Sequence, residues 1–165
     1  MPQAILIPVI GDVKMIEVTP DWTQWYKFIN YGEHTDGYFG YLFGSDNADR
    51  YCHVYSDSCN DTGDTPVKLA VNERISVADD ICYGDAIIFI QNSKDDVLEI
   101  PPISSDIVED FLINYHQLDY ANPEHMKTVS QFMEAAGFDP YEVNMYYRPN
   151  TIGLSMNADN LIFGQ

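Results

Sequence analysis

Through the first hundred residues the apolar positions come in short runs broken by Gly, Pro, Asn and Asp, whereas beyond Pro101-Pro102 they recur every three or four residues. Short runs bounded by turn residues predict strands, and the longer recurrence predicts helices. AILIPVI (4–10) and VKMIEV (13–18), joined by Gly11-Asp12, predict a tight hairpin with a two-residue turn. Pro8 has no N–H to give a ladder, which places the first strand at a sheet edge or a bulge. TPDWTQWYKFIN (19–30) predicts a short helix, with Thr19 as N-cap and Pro20 at its first position. Trp22, Trp25, Tyr26 and Ile29 would form its core-facing stripe.

A second hairpin is predicted where DGYFGYLFG (36–44) and RYCHVYSDS (50–58) flank the turn SDNAD. Alternation puts Cys52 and Val54 on one face of the latter strand and Tyr51, His53 and Tyr55 on the other. One face is core, and the other a tyrosine-rich surface. PVKLAV (66–71), DAIIFIQ (85–91) and VLEI (97–100) supply further strands, the last two joined by the acidic turn NSKDD.

In SSDIVEDFLINYHQLDY (104–120), Val108, Phe111, Leu112, Tyr115 and Leu118 lie on one side of an amphipathic helix, with Asp106 and Glu109 in capping-box relation. Asn122-Pro123 opens a second helix, with Met126, Val129, Phe132 and Met133 inward and Gly137 as its stop. Asp139-Pro140 opens a short third helix or turn through Tyr147, and NLIFG (160–164) returns as a final strand. The fold class expected is α+β in a single domain spanning 1–165. A mostly antiparallel sheet with one short helix fills the first hundred residues, and two or three helices pack on one of its faces.

Composition supports folding: 45% of the chain is apolar, unlike the composition of a disordered segment. The charge changes the picture more. Twenty-six acids stand against 8 Lys plus Arg, a net charge of −18. Self-repulsion on that scale opposes compaction, so it calls for solubility, a salt-adapted host or a basic partner as its reason. Scattered cations disfavour direct nucleic-acid binding, and an anionic membrane would repel the chain. The three cysteines, Cys52, Cys59 and Cys82, show no paired spacing, and no leader or long apolar run is present, which fits a reducing cytoplasm.

The motifs of chemistry are missing. SDSCNDTGDT (56–65) fails as a calcium loop: counted from Asp57, the third, sixth and twelfth positions are Cys59, Thr62 and Lys68. Weak cation binding by Asp57, Asp61 and Asp64 would use the same loop, whose simplest reading is a solvated acidic segment. Cys52 and His53 are adjacent and lack zinc-type spacing, and His34, His53, His116 and His125 read as ordinary polar or half-buried residues. Neither a nucleophile elbow nor a phosphate cradle occurs. The chain is expected not to be an enzyme and to hold no cofactor or metal.

What remains is the arrangement of acids. Carboxylates three or four apart on a helix, or two apart on a strand, sit roughly 5–7 Å from each other, close to the spacing of backbone phosphates. Asp57, Asp61, Asp64, Asp79, Asp80, Asp95, Asp96, Glu99, Asp106, Glu109 and Asp110 are the candidate partner-binding residues.

ILIPVIGDVKMIEV, DGYFGYL and KLAVNERISVADDICYGDAIIF, taken in order over about residues 3 to 92, resemble a small domain of unknown function found in phage and mobile-element proteins. That family has a hairpin opening, a G-G-Y-type strand, an asparagine-containing segment and a closing G-D strand. Asp36 replaces the first glycine of its middle motif. The resemblance implies a phage-like setting in a bacterial cytoplasm and supplies no catalytic residue. With the charge, it leads to the expectation of a DNA-mimicking inhibitor whose partner is a basic host protein. That partner would be a nucleic-acid enzyme, such as a restriction or CRISPR nuclease. The alternative is a module that binds a small ligand or nucleotide signal without catalysis. A homodimer through a sheet edge is compatible with either.

Overall fold

The computed structural model describes residues 1–29, 37–57, 69–75, 81–116 and 121–145. It is α+β, with a seven-stranded sheet and helices C-terminal to most of it. The strands are β1 (Gln3–Ile7), β2 (Lys14–Glu17), β3 (Gly37–Ser45), β4 (Arg50–Asp57), β5 (Tyr83–Gln91), β6 (Val97–Leu98) and β7 (Asn144–Met145). Their order is β2-β1-β5-β4-β3-β7, every pairing is antiparallel, and β6 pairs β5. Because β4 lines one side of β5, β1 and β6 share its other side, β1 facing Ala86 to Ile88 and β6 facing Ile90 and Gln91.

The first hairpin departs from expectation. β1 stops at Ile7, before Pro8, and β2 starts at Lys14, so the connection is six residues rather than two. Pro8 has no N–H, and the next N–H, of Val9, donates to Asp85 Oδ1 at 3.0 Å instead of to the ladder. β1 is also not an edge strand: β2 and β5 flank it, and Pro8 lies just past its end, where no ladder bond is lost.

Residues Trp22–Phe28 form a 3-10 helix whose N-cap is Asp21, not Thr19. Asp21 Oδ1 accepts from both the backbone N–H and the hydroxyl of Thr23, which lowers the Asp21 pKa. Thr19 is used differently, its carbonyl accepting the Trp25 indole N–H at 2.8 Å. Of the expected stripe, Trp25 and Ile29 are buried while Trp22 is 39% exposed. A 3-10 turn aligns residues three apart, which puts Trp22 and Phe28 on the side of Trp25, but these two stand at the ends of the short element and are exposed, so only the central indole is covered.

Two helices cover one sheet face. α1 (Ser105–His116) buries Val108, Phe111, Leu112 and Tyr115, and α2 (Pro123–Ala135) buries Val129, Phe132 and Met133. Ser104 caps α1 from the residue before it, its hydroxyl accepting from Ile107 N–H at 3.4 Å, a role expected of Asp106. Asn122 caps α2 ahead of Pro123, and Gly137, at φ +89°, ends it as predicted. Phe43 of β3 is the hub, its ring 6.2, 6.1 and 5.0 Å from those of Phe111, Phe132 and Phe138. Pro140–Glu142 is one 3-10 turn, after which β7 pairs β3. The expected strand at 160–164, Leu118 and residues 66–68 lie outside the described residues; of the rest of the expected 66–71 strand, Val71 forms a single bridge to Tyr83.

Candidate functional site: an aromatic sheet face edged by carboxylates

The face of the sheet away from α1 and α2 is aromatic. Residues opposite each other across a pair share a face, and Tyr41 pairs His53, which pairs Phe89. Ring centroids run 4.6 Å from Trp25 to Phe89, 5.3 Å from Phe89 to His53, 4.7 Å from His53 to Tyr41 and 5.9 Å from Tyr41 to Tyr51. Trp25 and Phe89 are buried, while His53, Tyr41 and Tyr51 are half-buried. The row therefore passes from core to surface.

A bulge makes this row. Strict alternation would put Tyr41 and Phe43 on one face. The register instead steps from Tyr41 opposite His53 to Phe43 opposite Cys52, leaving Leu42 as the extra residue. Parity is reset, so Phe43 turns to the helices and Tyr41 to the aromatic face. Gly44 then follows on that face, opposite Tyr51. A Cβ on Gly44 would stand 2.5 Å from Tyr51 Cδ1 and 2.8 Å from the Tyr41 hydroxyl, so the two tyrosines close over bare backbone that only glycine provides.

Two hairpin tips edge the row. In the β3–β4 turn, Tyr51 donates its hydroxyl to Asp46 Oδ1 at 2.8 Å, and Asp49 takes a left-handed φ of 50°. In the β5–β6 turn, Asn92 Oδ1 accepts from Lys94 and Asp96 N–H, and Asp95 has φ 66°. The tips are tied together, Ser93 N–H donating to Asp49 Oδ1 at 2.9 Å. Asp46, Asp49, Asp95 and Asp96 thus gather at one end of the sheet, with Lys94 among them. Arg50, next in sequence to the first tip, is drawn away to the helix layer. Its Nη2 donates to Ala136 O at the end of α2, and its guanidinium lies 5.3 Å from the Phe138 ring centroid. Its half-buried guanidinium is thereby turned toward the end of α2 and not toward the carboxylates of the tips.

Burial holds His53 neutral, pushing its pKa down to about 4 against the opposing pull of Asp95. Burial likewise pushes Tyr55 up to about 12 and raises the Cys52 thiol. The sign for His53 follows from the unfolded value near 6.5: between about 6.5 and about 4 only the unfolded chain takes up this proton. Its contribution is complete above that window and is lost as pH falls through it. Moving from about pH 7 to about pH 4.5 should therefore cost the wild type about 2 kcal/mol more than His53→Gln, after discounting for partial exposure. Urea unfolding of both proteins at each pH checks this; equal losses would show that His53 is solvated.

The residues singled out from the sequence divide into groups. Asp95 and Asp96 belong to the joined tips. Glu99, Asp106 and Asp110 are exposed and Glu109 half-buried, the last three on α1 over the opposite sheet face. Asp57 is a correction: at 3% exposure it is buried at the other end of β4 from the tips and does not belong to an acidic surface. Asp61, Asp64, Asp79 and Asp80 lie outside the described residues. Sequence reasoning missed Asp46 and Asp49, whose turn was legible as SDNAD, because which two tips meet is decided by strand order.

No family model, curated protein or solved structure matches the chain. Among the described residues no group of three or more His, Cys, Asp or Glu side chains is placed to hold a metal, and no helix is long and apolar enough to cross a membrane.

Proposed function

We propose that this is a non-catalytic acidic binding protein that occupies the basic nucleic-acid groove of a partner by DNA mimicry. The observation that carries this reading is the joining of two hairpin tips, which fixes Asp46, Asp49, Asp95 and Asp96 together in a chain of net charge −18. Carboxylates held by turn hydrogen bonds give up little side-chain freedom on meeting Arg or Lys, which lowers the cost of association. Long-range attraction would steer the encounter. The partner class is a basic host enzyme of nucleic acids in a bacterial cytoplasm. The phage-like setting, taken from the motif resemblance, belongs to the same proposal.

The test is retention of host-lysate proteins on the immobilised chain, with short duplex DNA as competitor. A nucleic-acid enzyme should be retained and then displaced by DNA. Its affinity should fall roughly tenfold or more as salt rises from about 0.05 to about 0.2 M, as exposed pairs are screened. The combined change of Asp46, Asp49, Asp95 and Asp96 to Asn should weaken it comparably. Retention indifferent to DNA, salt and those changes would overturn the reading.

A further inference from the structure

We propose that the half-buried outer end of the aromatic row, Tyr41, Tyr51 and His53, forms with the carboxylates of the hairpin tips a seat for an arginine side chain of a partner protein. This rests on the reading of an acidic protein that meets a basic surface, and it names what that surface must present. A guanidinium is planar and weakly hydrated, so it can stack on a ring while donating sideways to a carboxylate. An ammonium is a compact, strongly hydrated point charge and gains less from the ring.

The geometry supplies both halves at once. The hydroxyl of Tyr51 bonds Asp46 Oδ1 at 2.8 Å, so the ring that would stack and the carboxylate that would pair are already fixed to each other. Tyr41 stands edge-on to Tyr51, at 78° with centroids 5.9 Å apart, and both close over Gly44. The Tyr51 ring lies against the Gly44 backbone, where an added Cβ would stand 2.5 Å from its Cδ1. Asp46, Asp49 and Asp96 each use carboxylate oxygen for a single bond, to Tyr51, Ser93 and Asn92, out of about four acceptor sites per ionised carboxylate. His53, neutral through burial, adds ring surface without a repelling charge at pH 7. Lys94 is the opposing charge in the tips; against four carboxylates it leaves the seat negative. Charge complementarity excludes a phosphate-bearing occupant, and the half-buried tyrosine rings favour arginine over lysine.

The experiment titrates the full chain with an arginine peptide and a lysine peptide of equal length and charge at one ionic strength. Affinity is read by calorimetry, and the binding position by NMR of the aromatic and turn resonances. The arginine peptide should bind roughly fivefold more tightly and shift Tyr41, Tyr51 and His53. Tyr41→Leu should erase that preference while leaving the affinity for the lysine peptide. Tyr51→Phe, which keeps the ring and loses the hydroxyl bonded to Asp46, should reduce the preference while preserving the fold. Equal affinities, or shifts confined to Asp106, Glu109 and Asp110, would overturn the arginine seat and leave the acidic-inhibitor reading standing. Failure of both peptides to bind would overturn the seat as well, and that reading would fall only if DNA-displaceable retention also failed.

Discussion

Replacing Phe43 by alanine is expected to lower the free energy of unfolding by about 3–5 kcal/mol, the cost of emptying a phenylalanine site that neighbours cannot close. Phe43 is fully buried and meets three rings from three separate segments: Phe111 on α1, Phe132 on α2 and Phe138 beyond it. Phe111 and Phe132 are themselves stacked, with centroids 4.0 Å apart, so neither can move into the space without leaving the other. The loss would also loosen the helix layer from the sheet, because Tyr115 O–H bonds the carbonyl of Leu42, the neighbour of Phe43. Urea unfolding followed by circular dichroism measures the effect. A loss under about 1 kcal/mol would mean the three rings repack, and Phe43 would not be the hub described above.

Asn72→Asp is expected to cost about 3–5 kcal/mol although it changes almost no volume, since buried acceptors left without donors carry most of the penalty. Asn72 is fully buried. Its Nδ2 donates to Ile7 O at 2.9 Å and Gly84 O at 3.0 Å, joining the end of β1 to the start of β5, and its Oδ1 accepts from Arg74 N–H. Its own N–H donates to Cys82 O, and its carbonyl accepts from Ile75. An aspartate would turn its oxygens on two carbonyls. Raising the pH should deepen the loss, because the ionised form cannot donate at all. A variant with wild-type stability at neutral pH would show that these bonds contribute little.

Periodicity revealed the layers because burial acts residue by residue. Val108, Phe111, Leu112 and Tyr115 had to face a core wherever that core lay, and Cys52 and Val54 do lie on the face opposite Tyr51, His53 and Tyr55, but the expected tyrosine-rich surface is in part a second core, where Tyr55 is buried with Trp25 and Phe89. What the periodicity could not carry was anything set by a single backbone event. The bulge at Leu42 reverses the faces of Tyr41 and Phe43, and in the sequence only the glycines of GYFGYLFG hint at it. Asp21 displaced Thr19 as a cap because the helix is 3-10 and starts later. The candidate site was half legible. Asp95 and Asp96 stand out as an acidic turn, whereas their joining to Asp46 and Asp49 depends on β4 lying beside β5, a long-range pairing. Asp57 misled because a strand end in a polar stretch looks exposed, yet it is buried.

The placement of β1 between β2 and β5 also dictates when this chain can fold. Ile5 pairs with Ile88, and the sheet's last strand is laid against β3 only after both helices have passed. On a ribosome the opening hairpin must therefore wait, apolar side chains uncovered, until most of the polypeptide has emerged. Contacts so distant along the chain slow folding, because the loop between them must be closed before they stabilise anything. The same acids that repel one another in the finished fold would repel neighbouring nascent chains during that wait, keeping the unpaired strand from finding the wrong partner.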